Sequence, residues 1–298
     1  MSSNKKWLVL GGSGQLGMAM KFKLNTLGNE SEVHIPNNLD IREFQKTSEL
    51  ITDLRPDYIV NCAAWTDVRA SESHEYEARL INGEAVRNIG QAAVSSKSNL
   101  IHVSTDYVFS GDSKKPYTED EVVNPINAYG RSKAMGESLL ADIGAERFYI
   151  IRTAWLYGKH RKNFIKTILN KFLDGERSIQ IVDDQLGSPT NVLDLAQCII
   201  EIADSNSKCG TYHVTNTGVT SWFDFAKAAL EILELETEIL HRSKTSFTNE
   251  INRPKNSSLD SSKWNSLGLT QLRSWQEALE SSIVDIYNQV RNERSNGI

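Results

Sequence analysis

A short apolar run, Trp7–Leu10, meets the heptapeptide Gly11-Gly12-Ser13-Gly14-Gln15-Leu16-Gly17 with no linker between them. A helical pattern over Met18–Leu27 follows at once. A buried strand, a glycine-rich turn and a helix in direct succession admit few architectures. Glycines permit the tight turn and let backbone N–H groups approach a pyrophosphate at the helix N-terminus. Two registers fit, Gly12-x-Gly14-x-x-Gly17 and Gly11-x-x-Gly14-x-x-Gly17. Either one predicts an α/β fold with a parallel sheet that binds a dinucleotide.

The next 130 residues keep the alternation that such a sheet requires. Strands are expected at Val33–Pro36, Tyr58–Asn61, Leu100–Ser104 and Phe148–Arg152. Helices are expected over 42–53, 75–96 and around Tyr129, the last opened by Asn124-Pro125. The residue closing the second strand often selects the coenzyme, since an acid binds a ribose diol and a base accepts a 2′-phosphate. Here Asn37-Asn38-Leu39-Asp40-Ile41-Arg42 follows, with no acid at the strand tip, so NADH and NADPH both stay open. Asp40 reads either as a helix N-cap or as a contact near the adenine end.

Beyond Thr153 the alternation loosens. Helices are expected at Asn163–Leu173, Leu193–Ala203, Trp222–Leu233 and Trp275–Val290, with short strands at Ile179–Val182, Tyr212–Val214 and Glu238–Leu240. The expected architecture is a Rossmann-type, doubly wound parallel sheet with a smaller C-terminal substrate-binding α/β region. Residues 1–155 form mainly the dinucleotide-binding part. Residues 156–298 form mainly the substrate-binding part, with segments returning to the first layer. The 298-residue length suits such a plan, with 39% hydrophobic and 24% charged residues. A net charge of −5 without a basic run argues against nucleic-acid binding. The apolar run near the start is too short for a signal-peptide core, and no stretch is long enough to cross a membrane. Cys62, Cys198 and Cys209 have neither disulfide parity nor metal-ligand spacing, so a cytoplasmic protein without a metal site is expected.

Tyr129 and Lys133 stand four residues apart and share a face if the segment is helical. A neighbouring ammonium favours a phenolate, which would bring Tyr129 toward the working range for exchanging a proton with a carbonyl or alcohol oxygen. Thr105 falls at the carboxyl end of the fourth strand, where open parallel sheets bind their ligands. Its hydroxyl can hold a substrate oxygen, or simply cap the strand end.

The glycine turn, Ser104-Thr105 and Tyr129-x-x-x-Lys133 together resemble an extended short-chain dehydrogenase/reductase. Finer motifs resemble the dTDP-4-dehydrorhamnose reductase family. They include Gly14-Gln15-Leu16-Gly17, Asn61-Cys62-Ala63-Ala64, Ser104-Thr105-Asp106-Tyr107-Val108-Phe109 and Arg152-Thr153-Ala154-Trp155-Leu156-Tyr157-Gly158. Gln185-x-Gly187-x-Pro189-Thr190, Gly210-Thr211-Tyr212-His213, Ser221-Trp222-x-Asp224-Phe225-Ala226 and Arg253-Pro254-x-Asn256-Ser257-x-Leu259 continue the set in order.

The resemblance implies reduction of the 4-keto group of dTDP-4-dehydro-L-rhamnose by NADPH or NADH. It implies Tyr129 as proton donor, Lys133 as holder of the nicotinamide ribose and Thr105 as a partner of the reacting oxygen. Gly11, Gly14, Gln15, Leu16, Asp40, Ile41, Ala63, Ala64 and Trp65 would line the coenzyme, with Tyr129 and Lys133. Thr105, Asp106 and Trp155 would contact the sugar, and Trp155 also reads as core. Arg253 is the candidate for the nucleotide diphosphate, since guanidinium pairs with phosphate in bidentate geometry. Some relatives bridge two subunits with magnesium through acids after the glycine turn. Met18-Ala19-Met20-Lys21 carries none, so a monomer or weak homodimer is expected. A 4,6-dehydratase is disfavoured because Tyr107, not an acid, follows Asp106. A reductase of another 4-keto-6-deoxysugar nucleotide stays open. So does a non-catalytic regulatory subunit of the same fold, although Thr105, Tyr129 and Lys133 together argue against it.

Overall fold

The structure is a computed structural model that describes residues 5–27, 31–144, 147–205, 207–244 and 251–296. The first half alternates as the sequence predicts. It runs β1 (Lys5–Leu10), α1 (Gln15–Thr26), β2 (Ser31–His34), α2 (Phe44–Leu54) and β3 (Tyr58–Asn61). Then come the short α3 (Val68–Ser73), α4 (Glu75–Arg79), α5 (Ala85–Ser96), β4 (Asn99–Thr105), α6 (Ala128–Gly144) and β5 (Phe148–Thr153). Helix α1 begins three residues earlier than expected, so Gln15 and Leu16 are its first residues. The expected helix over 75–96 is continuous but takes a π-turn at Leu80–Glu84 between α4 and α5. The wider turn carries Asn82, whose amide reaches both the Trp65 backbone and the Ser132 hydroxyl of α6.

The remaining elements are β6 (Leu156–Tyr157), α7 (Phe164–Leu173), β7 (Ile179–Val182), β8 (Leu186–Gly187), β9 (Thr190–Asn191), α8 (Val192–Asp204) and β10 (Gly210–His213). After these come β11 (Thr220–Ser221), α9 (Trp222–Ile232), β12 (Leu240–Ser243), α10 (Ser262–Asn265), α11 (Trp275–Glu280) and α12 (Ile283–Ser295). The expected single helix over Trp275–Val290 is two. Ser281 and Ser282 hydroxyls both bond back to the Ala278 carbonyl and compete with the helical ladder where α11 ends.

The main sheet has the order β10-β5-β4-β3-β1-β2, and every pairing in it is parallel. The direction of winding reverses at β1, so a crevice opens between the carboxyl ends of β1 and β3. Alternating side chains divide the core into two layers. Trp7, Val9, Tyr58, Val60, Ile101 and Ile151 face α1 and α8. Leu8, Leu10, Ile59, Leu100, Phe148 and Ile150 face α2, α5 and α6. Strand β10 and helix α8 thus belong to the first layer although they lie late in the chain. A separate core joins Tyr157, Ile165, Leu169, Ile179, Ile181, Phe225, Leu230, Leu240 and Leu279. It is built on the parallel pair β7–β12 with α7, α9, α11 and α12. Among the described residues, no helix is long and apolar enough to cross a membrane.

Candidate active site

The carboxyl ends of β3, β4 and β5 and the first turn of α1 surround a cavity of about 460 Å³. Gly14, Gln15 and Leu16 line it from α1, and Cys62, Ala64 and Thr66 from the end of β3. Val103 to Asp106 close β4, Tyr129 and Lys133 descend from α6, and Thr153 to Leu156 follow β5. The strand-end and helix positions expected from sequence therefore converge on one space.

Local chemistry explains why the turn has this shape. Gly11 has φ +75°, and a Cβ on it would lie 2.5 Å from the Ala63 nitrogen. The chain therefore needs glycine there on grounds of both conformation and space. A Cβ on Gly17 would strike the Gly11 carbonyl. Helix α1 has no side-chain cap and no acid in its first turn, so its leading N–H groups are free to meet an anion from the cavity. A second cavity of about 220 Å³ lies across the same turn, lined by Gly11, Ser13, Lys21, Asn37, Asn38 and Ile41 among others.

Burial pushes the Tyr129 phenol above its ordinary pKa, and the adjacent Thr105 hydroxyl pulls it the other way. The Lys133 Nζ donates to the Val103 carbonyl at 2.7 Å and lies 3.4 Å from His102 Nε2. Burial lowers Lys133 to about 8, against the opposing effects of Glu137 and Cys62. Thr105 Oγ1 donates to Asp106 Oδ1 at 2.9 Å and accepts from the Tyr107 N–H at 3.2 Å. Burial raises Asp106 to about 7, with nearby Ser257 and Thr105 hydroxyls favouring the anion. Asp106 Oδ2 and Thr153 Oγ1 are buried without a hydrogen-bond partner in the protein. Polar atoms left open at a cavity fit a polar ligand that would complete them.

Trp155 forms one wall with φ +47° and lies flat on Trp222, ring centroids 3.5 Å apart and planes 6° from parallel. It is a wall residue, not a core residue.

Other predicted residues fall elsewhere. Ile41 and Gly11 line the smaller cavity. Asp40 lines neither; Arg42 grips it bidentately and holds its carboxyl below the usual range. Nor does Asp40 cap α2, whose N-cap is Glu43. Ala63 backs the glycine turn, its N–H donating to Asn61 Oδ1. Trp65 is held by Asn82 and stacks on His74. Arg253 is absent from both linings and faces the Tyr107 phenol.

Sequence reasoning passed over Arg161, Lys162 and Asn163, which line the large cavity opposite β4. Arg161 Nε donates to the Ser13 carbonyl at 2.6 Å, and Asn163 Nδ2 donates to Gln15 Oε1 at 3.0 Å. The adjacent cations at 161 and 162, just after the Trp155 motif, were the available signal.

Comparison with known proteins agrees with this geometry. The family model described as the RmlD substrate binding domain matches residues 5–288. A dTDP-4-dehydrorhamnose reductase from Streptomyces griseus is 35% identical, with 93% of this chain and 92% of the relative covered. The chain belongs to the dTDP-4-dehydrorhamnose reductase family. Within reach of that family, a dTDP-4-keto-6-deoxy-D-glucose reductase from Streptomyces niveus is 37% identical, covering 92% of this chain and 95% of its own. The crystal structure of the Bacillus anthracis dTDP-4-dehydrorhamnose reductase in complex with NADP superposes with a TM-score of 0.89 at 34% identity. That superposition covers 95% of this chain and 99% of the other.

Proposed function

We propose that this member of the dTDP-4-dehydrorhamnose reductase family reduces the 4-keto group of dTDP-4-dehydro-L-rhamnose to the alcohol of dTDP-L-rhamnose, using NADPH or NADH. The observation that carries the reading is the meeting of Thr105, Tyr129 and Lys133 in one cavity beside the uncapped start of α1. The two cavities on either side of the glycine turn fit an extended dinucleotide, with its pyrophosphate against Gly14–Leu16 and its adenosine end beside Asn37 and Ile41. The coenzyme, when bound, supplies hydride to the carbonyl carbon. Tyr129 donates the phenolic proton to the carbonyl oxygen as negative charge develops there. Its buried position keeps it protonated at neutral pH and so ready as an acid. The Thr105 hydroxyl steadies the same oxygen, and the buried Lys133 supplies a positive field.

Trp155 offers a flat apolar face to the sugar ring, and Asp106 and Thr153 offer open polar atoms to its hydroxyls. Arg161 and Lys162, which line the large cavity, join Arg253 beside Tyr107 as candidates to hold the diphosphate. Residues 1–155 with β10 and α8 form the dinucleotide-binding part, and the core around β7 and β12 carries the substrate-binding part. A cytoplasmic monomer or weak homodimer fits this role.

The test is coenzyme oxidation followed at 340 nm with dTDP-4-dehydro-L-rhamnose and, in parallel, dTDP-4-keto-6-deoxy-D-glucose. The Streptomyces niveus relative is the reason for the second sugar. Turnover of the first at the higher kcat/KM supports the reading. Preference for the second would move the assignment to that sugar, and no oxidation with either would overturn it.

A further inference from the structure

Behind the reacting face, β4 carries a histidine that is fully buried and takes no part in the chemistry above. His102 Nδ1 lies 3.2 Å from Asn61 Nδ2, and its Nε2 lies 3.4 Å from Lys133 Nζ. The proton on this ring can be located by elimination. The Ala63 backbone N–H can only donate, and it donates to Asn61 Oδ1 at 3.1 Å. That contact fixes the Asn61 amide with its NH2 toward His102. An amide NH2 can only donate, so His102 Nδ1 accepts and carries no proton. Burial, then the nearby Lys133 charge, holds the ring well below the ordinary histidine pKa, so it is neutral. The one proton of a neutral imidazole therefore sits on Nε2, aimed at Lys133.

We propose that His102 is a positioning residue for Lys133: its Nε2–H donates to the amine form of Nζ and opposes the ammonium form, so it sets both the direction and the protonation state of that side chain. The proposal rests on Lys133 belonging to the reductase site. An ammonium has only donors to offer, and against Nε2–H it meets a donor with a donor. A neutral amine has a lone pair there and still donates to the Val103 carbonyl at 2.7 Å. The other groups around Nζ do not replace this effect. Cys62, at the end of β3, is a neutral thiol pushed up to about 12 by burial. Glu137, one turn along α6, favours the cation, but its carboxylate is held by Arg152 of β5 and by the Ser104 hydroxyl of β4. Tyr129, on the same helix face, is a neutral phenol. Asn61 reaches Lys133 only through the imidazole. Among the described residues, His102 is thus the polar side chain within hydrogen-bond reach of Nζ, and its N–H acts in the same direction as the burial that lowers Lys133 to about 8.

Two measurements test this. In the coenzyme-free protein, 15N spectra of the histidine side chains report tautomers directly. The chain has six histidines, and the resonances of His102 are those lost in a His102→Gln variant. The expected result is an Nε2-protonated neutral ring, unchanged from pH 6 to pH 9. An Nδ1-protonated ring, or an imidazolium within that range, overturns the proposal whatever the enzyme's activity. The second measurement is the pH profile of kcat. In the wild type the alkaline limb should fall near pH 8 as the Lys133 ammonium is lost. His102→Leu removes the opposing N–H, so the ammonium persists and the limb should move up by about one pH unit, a tenfold change in the acid constant. His102→Gln restores an amide N–H and should move the limb back toward the wild type. A downward shift, or none, in a folded His102→Leu protein overturns the proposal. If that variant does not fold, the tautomer measurement decides alone.

Discussion

Arg152 Nη2 donates to Glu137 Oε2 at 2.7 Å, with the two side chains only 5% and 9% exposed. The Arg152 Nε also donates to Oε1 at 3.0 Å, and the Ser104 hydroxyl donates to the same oxygen. This cluster ties α6 to β5 and β4 directly behind Thr105, Tyr129 and Lys133. Removing one partner strands a buried charge, which costs about 3–5 kcal/mol. Glu137→Ala should therefore lower the unfolding free energy by that amount, read as a lower denaturant midpoint at unchanged slope. A loss below about 1 kcal/mol would show that the cluster does not hold α6.

Asp106 gives up stability for its place in the cavity. Its folded pKa, about 7, lies above the ordinary value of 3.8, so the folded state binds the proton more tightly than the unfolded chain. Stability from this group is full below pH 4 and is lost as pH rises through 7, by up to about 4 kcal/mol. Asp106→Asn removes the titration. The variant should be more stable than the wild type at pH 8 and close to it at pH 4, as read by thermal unfolding at both pH values. Equal differences at the two would contradict the assignment.

Gly11 combines a positive φ with a close backbone approach, so it is poorly open to substitution. Gly11→Ala would force a Cβ against the Ala63 nitrogen at a positive φ. The turn would move, and with it the N–H groups that face the cavity. Coenzyme binding followed by fluorescence titration should weaken by at least tenfold. Ser13→Ala, in the same turn, leaves the backbone free and should bind within a few-fold of the wild type.

Much of the site was legible because its signals are local or tied to strand ends. The glycine turn, Thr105 after β4 and the Tyr129–Lys133 spacing each occupy a few residues, and the parallel sheet brings them together by rule. What stayed hidden depends on distant contacts. Arg161 meets Ser13 and Asn163 meets Gln15 across 148 residues, and no periodicity announces such a meeting. The π-turn at Leu80–Glu84 carries a single glycine, Gly83, which a helix tolerates, so the segment reads as plain helix. His102 reads as one more residue of a buried strand, and only the Asn61 amide reveals where its proton lies. Arg253 was legible by its chemistry, and it faces the Tyr107 phenol, whose ring packs edge-on against Tyr129. The break at Ser281-Ser282 was missed because serine is tolerated in helices and acts there only through its neighbours.

The central claim is that Tyr129 protonates a sugar ketone oxygen. Its most direct test is Tyr129→Phe, measured for coenzyme affinity and for coenzyme oxidation at 340 nm with dTDP-4-dehydro-L-rhamnose. The phenyl ring keeps the apolar contacts and loses only the hydroxyl. The account predicts coenzyme binding within about threefold of the wild type and a fall in kcat of about 10²–10⁴-fold. A variant that binds coenzyme and turns over at the wild-type rate would contradict it.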